Sequence, residues 1–162
     1  MGKNMNMTVK FYNVEHGSCT HVITPNGKHL LYDIGSKADS SICCHLKNTF
    51  FIHGGRPDML AISHPHYDHM SDLCNMYHYD ITPRCLWRDI RAFPLNILNS
   101  DKQAEVDLKS CANTMHNEYN YTVDVGSNPE NATVNGGVFI RRYTPNLVDS
   151  EYVDVNNFSC VN

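Results

Sequence analysis

The stretch from His64 to His69, read as His-x-His-x-Asp-His, constrains this chain more than any other. It sets three imidazoles and a carboxylate within six positions. The run before it, Asp58-Met59-Leu60-Ala61-Ile62-Ser63, is short and mostly apolar and follows Pro57, which reads as a buried strand of an α/β sheet. Pro65 keeps His64 extended. Side chains two apart in an extended chain point to one side, so His64 and His66 can aim at one ion. Asp68 and His69 fall where the chain turns into a helix, within reach of a second. Neutral imidazoles with a carboxylate suit zinc, with manganese or iron as alternatives. Two such ions would generate a hydroxide nucleophile and clamp a phosphoryl or acyl oxygen. The competing interpretation is a polar loop with surface histidines in a chain that has 10 of them. The apolar run leading straight into the motif weighs against it.

These residues resemble the metal motif of the metallo-β-lactamase superfamily. The resemblance implies an α/β (α+β) fold, an αββα sandwich with a mixed sheet flanked by helices, and two zinc ions. Carried over, His64 and His66 would ligate the first metal, Asp68 and His69 the second, and Asp68 would also handle protons in turnover. The opening residues resemble the branch that includes the DNA-uptake competence proteins. They predict a strand over 8–14, a turn at Glu15-His16-Gly17-Ser18, a strand from Cys19 to Thr24, a hairpin turn at Pro25-Asn26-Gly27-Lys28, and a strand Leu30 to Gly35 ending Asp-x-Gly. Ser18 stands where that branch has an acidic residue. Asp33 would be the structural aspartate under the metal loops, and His16 either faces the cleft or caps a turn. Met70-Ser71-Asp72-Leu73 replaces the small residues usual after the motif.

Further on, Asp39-Ser40-Ser41 starts a helix over about 40–52. A second helix is expected from His69 to Tyr79, a strand over Arg84–Trp87 and a helix from Asp101 to about Tyr119. His116, near the end of that helix, is a candidate third ligand of the first site or an ordinary surface histidine. Arg88, Arg91 and Lys102 form the one local basic cluster, read as a solvated face or a substrate-phosphate contact. Strands are expected over 122–125 and 137–141, a turn over 127–131, and a last strand over 156–161 resembling the one that opens the family's second half. The metal-bridging aspartate and the last histidine of the family have no counterpart here. Residues 1–162 are therefore expected to form a single domain that covers the first half to two-thirds of the family fold.

The net charge of −4 and the absence of a basic block exclude a broad polyanion-binding surface. No window reaches transmembrane length, and the N-terminus lacks the apolar core of a signal peptide. With seven cysteines and no C-x-x-C pair, reduced thiols in the cytoplasm are expected. The functional expectation is a metal-dependent hydrolase using metal-bound hydroxide on phosphodiester or nucleotide substrates, the chain itself being weak or inactive without the family's C-terminal ligands. The alternative is an inactive module that binds a partner, a missing C-terminal half or a second copy, through an exposed sheet face.

Overall fold

A computed structural model describes residues 6–88, 103–119 and 132–140. The expected strands at 122–125 and 156–161, the turn at 127–131, and residues Arg91, Asp101 and Lys102 lie outside the described residues. The architecture is α+β. Five strands, β1 Thr8–Phe11, β2 Thr20–Ile23, β3 His29–Tyr32, β4 Met59–Ala61 and β5 Leu86–Trp87, form one mixed sheet in the order β1-β2-β3-β4-β5. The first three are antiparallel. β3, β4 and β5 run parallel, with Leu31 opposite Leu60 and Leu60 opposite Leu86. Parallel neighbours require crossovers. α1, Ile42–Phe50, provides the first, and α2, Tyr67–Met70, with α3, Leu73–His78, provides the second. α4 spans Gln103–Glu118 and packs on α2 and α3.

Period-two alternation sorts the strand residues between two cores. Leu31, Leu60 and Leu86 face the helices, where they meet Leu46, Met70, Leu73, Met76 and, from α4, Leu108, Ala112 and Met115. Leu30, Met59, Ala61 and Trp87 face the other way with Val22 and Cys85, and Ile140 packs on them. β1 is the outer edge and is exposed throughout. Met7, Val9 and Phe11 line an apolar groove there with Val138, Phe139 and Ile140. The strand expected over 137–141 is not formed in its described part. Residues 132–137 make a turn, Gly136 and Gly137 have positive φ, and 138–140 is irregular.

Two further expectations change. The helix from His69 to Tyr79 is two helices, broken at Ser71-Asp72. There the Asp72 N–H donates to Ile34 O at 3.0 Å, outside its own helix. The buried Asp72 carboxylate accepts from Cys43 N at 2.6 Å and from Ser41 Oγ at 2.9 Å, while Ser41 Oγ caps Cys44 N. One carboxylate thus fixes the start of α1 to the turn after the motif. The expectation of uniformly reduced thiols fails at Cys74 and Cys111, which form a disulfide joining α3 to α4. Closing that 37-residue separation stabilises the fold by roughly 3–4 kcal/mol in the chain-entropy account. Cys19, Cys43 and Cys44 are free thiols. No helix among the described residues is long and apolar enough to cross a membrane.

Between β2–β3 and the end of α1 lies a second imidazole pair. His21, fully buried, has Nε2 2.9 Å from His29 Nδ1 and Nδ1 3.3 Å from Tyr12 Oη, with Phe50 edge-on. Burial, with His29, Lys10 and His45 near, pushes its pKa down to about 4. The folded-state value lies below the unfolded value near 6.5, so the unfolded chain binds the extra proton. Stability present at neutral pH is therefore lost as pH falls from about 6.5 to about 4, by about 2–3 kcal/mol. Urea denaturation at both ends of that window tests this. A His21→Leu variant should lessen the dependence, and a wild-type curve that is already flat would refute it.

Candidate metal centre

The motif begins where β4 stops. Ile62 N donates to Trp87 O at 2.8 Å and completes the ladder to β5. Ser63 then turns to Asp33 at the end of β3. Ser63 N donates to Asp33 Oδ1, and Ser63 Oγ donates to Asp33 Oδ2, both at 2.8 Å. His69 Nδ1 donates to Asp33 Oδ2 at 2.7 Å. Asp33 is buried and sits at φ 58°, a left-handed conformation that Asp tolerates better than most residues. Its own N–H donates to Ala61 O at 2.7 Å. A carboxylate at the end of one strand thus organises both ends of the motif on the next.

Three of the four motif side chains come together. His64 is buried, with its ring 4.7 Å from that of His66 and 4.1 Å from that of His69. His64 Nδ1 lies 3.0 Å from Ser63 Oγ, and His64 Nε2 lies 3.2 Å from His66 Nδ1. Ser63 Oγ has given its proton to Asp33, so it accepts from His64 Nδ1–H. That assignment leaves the Nε2 lone pair of His64 facing His66. By the same logic the Asp33 bond holds the Nδ1 proton of His69 and leaves its Nε2 lone pair outward. Asp68 is about half exposed, with Oδ2 3.7 Å from His69 Nε2.

The environment separates the imidazoles electrically. Burial, with His69 and His66 adjacent, lowers the pKa of His64 to about 4, so it is neutral at physiological pH. Burial works against charge on His69 also, but the hydrogen bond and charge of Asp33, with Asp68 behind them, outweigh it and raise its pKa.

Nitrogen and carboxylate donors of this kind fit zinc. Two imidazole nitrogens about 2.1 Å from a tetrahedral ion stand about 3.4 Å apart, and the His64–His66 separation is 3.2 Å. The set is not assembled into a finished site. Among the described residues no group of three His, Cys, Asp or Glu is arranged to hold an ion. His64 and His66 face each other, and Asp68 leans toward His69.

The other candidates stand apart. His16 is exposed in the turn before Gly17, with no hydrogen bond or ring contact to the motif. His116 is held by Arg88, whose Nε and Nη2 donate to His116 Nδ1 at 3.3 and 3.2 Å and whose Nη2 also donates to His116 O at 3.2 Å. An arginine always donates, so Nδ1 accepts and Nε2 carries the proton. Neither nitrogen then offers a lone pair to a cation. Burial and the Arg88 charge lower the His116 pKa and keep it neutral. Arg88 is itself buried, which corrects its assignment to a solvated basic face.

Sequence reasoning missed Ser63, whose hydroxyl touches Asp33, His64 and His69. Its position between the strand and the first histidine was the available signal. Gly17 and Gly35 were also missed as parts of the site. Ser18 N donates to Asp68 O at 3.4 Å, Gly35 N to Ser18 O at 2.9 Å, and Ile34 N to His69 O at 2.8 Å. A Cβ on either glycine would overlap the Asp68 carbonyl oxygen. Because both partners are backbone, the clash has no flexible side chain to absorb it. Gly35→Ala should destabilise the protein by about 2–3 kcal/mol and shift the imidazole resonances of His64 and His69. Chemical denaturation with histidine-selective NMR measures both, and a loss below about 0.5 kcal/mol would mean that the loop is not so tightly seated.

No protein-family model, no curated protein and no solved structure matches this chain.

Proposed function

We propose that the chain is a metal-dependent hydrolase of the metallo-β-lactamase type, acting on phosphodiester or nucleotide substrates with zinc, or manganese or iron in its place. The observation that carries this is the convergence of His64, His66 and His69 at the carboxyl end of a central parallel strand, two of them oriented through Ser63 and Asp33. The proposal extends to the fold. A mixed sheet with helices on one face and an apolar second face is what half of an αββα sandwich requires.

A bound divalent cation would supply a nucleophilic water at neutral pH and neutralise charge on the phosphoryl oxygens. His64 and His66 would hold it through the facing nitrogens, once their mutual contact is replaced by ligation. His69 would bind through Nε2, with Asp33 fixing its tautomer. Asp68, partly exposed with Oδ2 3.7 Å from His69 Nε2, would take up and return a proton during turnover. Purified protein should carry close to stoichiometric zinc, manganese or iron by elemental analysis. His66→Ala should abolish metal-dependent phosphodiesterase activity, and Asp33→Asn should weaken metal affinity about 10- to 100-fold. Protein that binds none of these metals, or activity that survives His66→Ala, would overturn the assignment.

A second reading, a module that self-associates or binds a partner, is favoured by the outer sheet face, where Phe11 is 81% exposed beside Val9 and Phe139. Light scattering should then show a dimer that Phe11→Ser returns to monomer; a wild-type monomer sinks its self-association branch. A cytoplasmic location is proposed on the free thiols of Cys19, Cys43 and Cys44. The Cys74–Cys111 bond weighs against it, since disulfides persist mainly in oxidising compartments.

A further inference from the structure

A cleft of about 440 Å³ opens beside the motif, between the loop that leaves β3 and the α2–α3 turn. That volume falls within the range of small-molecule sites. Its walls carry hydroxyls and an amide, among them Ser36, Ser40, Tyr67 and Asn75, with Lys37 and Asp39 at the same loop. Several of these groups are already fixed. Asn75 Nδ2 donates to Asp72 Oδ1 at 2.7 Å, Ser41 Oγ to Asp72 Oδ2 at 2.9 Å, and Ser71 Oγ accepts from Ser36 N at 2.9 Å. A ligand would therefore meet an ordered polar wall and cause little reorganisation.

The charges indicate what kind of ligand fits. The cleft adjoins the start of α1, an end that ordinarily favours anions. Here the buried Asp72 carboxylate already occupies it through Cys43 N and Ser41 Oγ. With Asp39 added, an entering anion would face two carboxylates against Lys37 alone. A neutral polyol meets no such penalty, and its hydroxyls can both donate and accept along the wall. Tyr67, 38% exposed, offers a ring for the apolar face of a sugar and directly precedes Asp68.

We propose that this cleft is the subsite for the sugar of a nucleotide or sugar-phosphate ester. This rests on the hydrolase reading above, which puts the phosphorus at the motif histidines; Tyr67, between His66 and Asp68 in the chain, is the motif residue that lines the cleft.

The test is amide NMR of the full chain with metal removed by chelation, titrated with methyl β-D-ribofuranoside and, separately, with inorganic phosphate. The sugar should shift amides of residues 36–41 and 67–75 saturably at millimolar concentration. Tyr67→Ala and Ser40→Ala, each first shown to keep the wild-type spectrum elsewhere, should weaken it about fivefold, the worth of one hydrogen bond. Because both side chains are on the surface, one variant serves if the other misfolds. Shifts here with phosphate but not with the sugar would overturn the proposal in favour of an anion site. No saturable shift with the sugar would overturn it outright. The readout needs neither metal nor turnover, so failure here leaves the hydrolase reading standing. Loss of that reading would equally leave sugar binding measurable.

Discussion

The Asp33 carboxylate holds the rest in place. It leaves β3 in a left-handed turn, is buried, and accepts from Ser63 N, Ser63 Oγ and His69 Nδ1. A buried carboxylate is costly unless its lone pairs are used. Here the groups that use them are Ser63, two residues past β4, and the last histidine of the motif. The need to satisfy that charge therefore draws a six-residue loop into one conformation. The same bonds set which nitrogen of each imidazole carries its proton. That choice is the precondition for any use of His64 and His69 as ligands.

A second constraint acts from the opposite side. The Asp68 carbonyl sits against two backbones, at Gly17 and Gly35, and Ser18 N points at it. The turn between β1 and β2 and the end of β3 therefore meet beneath the motif helix. Asp72 repeats the device one turn later, joining the motif segment to the start of α1. Three contacts, all at the carboxyl ends of the parallel strands, thus make the motif loop rigid while leaving Asp68 and His69 partly open to solvent. Ligand sites in sheets of this kind are found at that edge, and both the histidine cluster and the hydroxyl-lined cleft lie there.

The strands and helices were legible where their pattern was local. Alternation around Pro25-Asn26-Gly27-Lys28 marks the first hairpin, Ser41 marks the start of α1, and the apolar run to Ile62 marks β4. The break at Ser71-Asp72 was not legible, because nothing in the local periodicity reports that Asp72 is needed by α1 and by Ile34. Nor was the pairing of Cys74 with Cys111, whose spacing says nothing until α3 and α4 are side by side. Arg88 looked like surface charge from composition alone. Its burial follows from the register of β5 against β4 and from the position of α4, neither of which is local.

By itself the sequence determined the chemistry on offer: three imidazoles and a carboxylate after a strand, an aspartate closing the strand before it, and glycines at two turns. Side-chain identity and short-range spacing suffice for that, since alternation and turn chemistry act over a few residues. Only the tertiary structure decided which of those groups meet. It brought His64, His66 and His69 together over Ser63 and Asp33, left His16 exposed, and turned His116 toward Arg88. The reason is physical. Those outcomes depend on which buried charges and backbone N–H groups must be paired across elements 28 or more residues apart, and no local signal encodes that pairing.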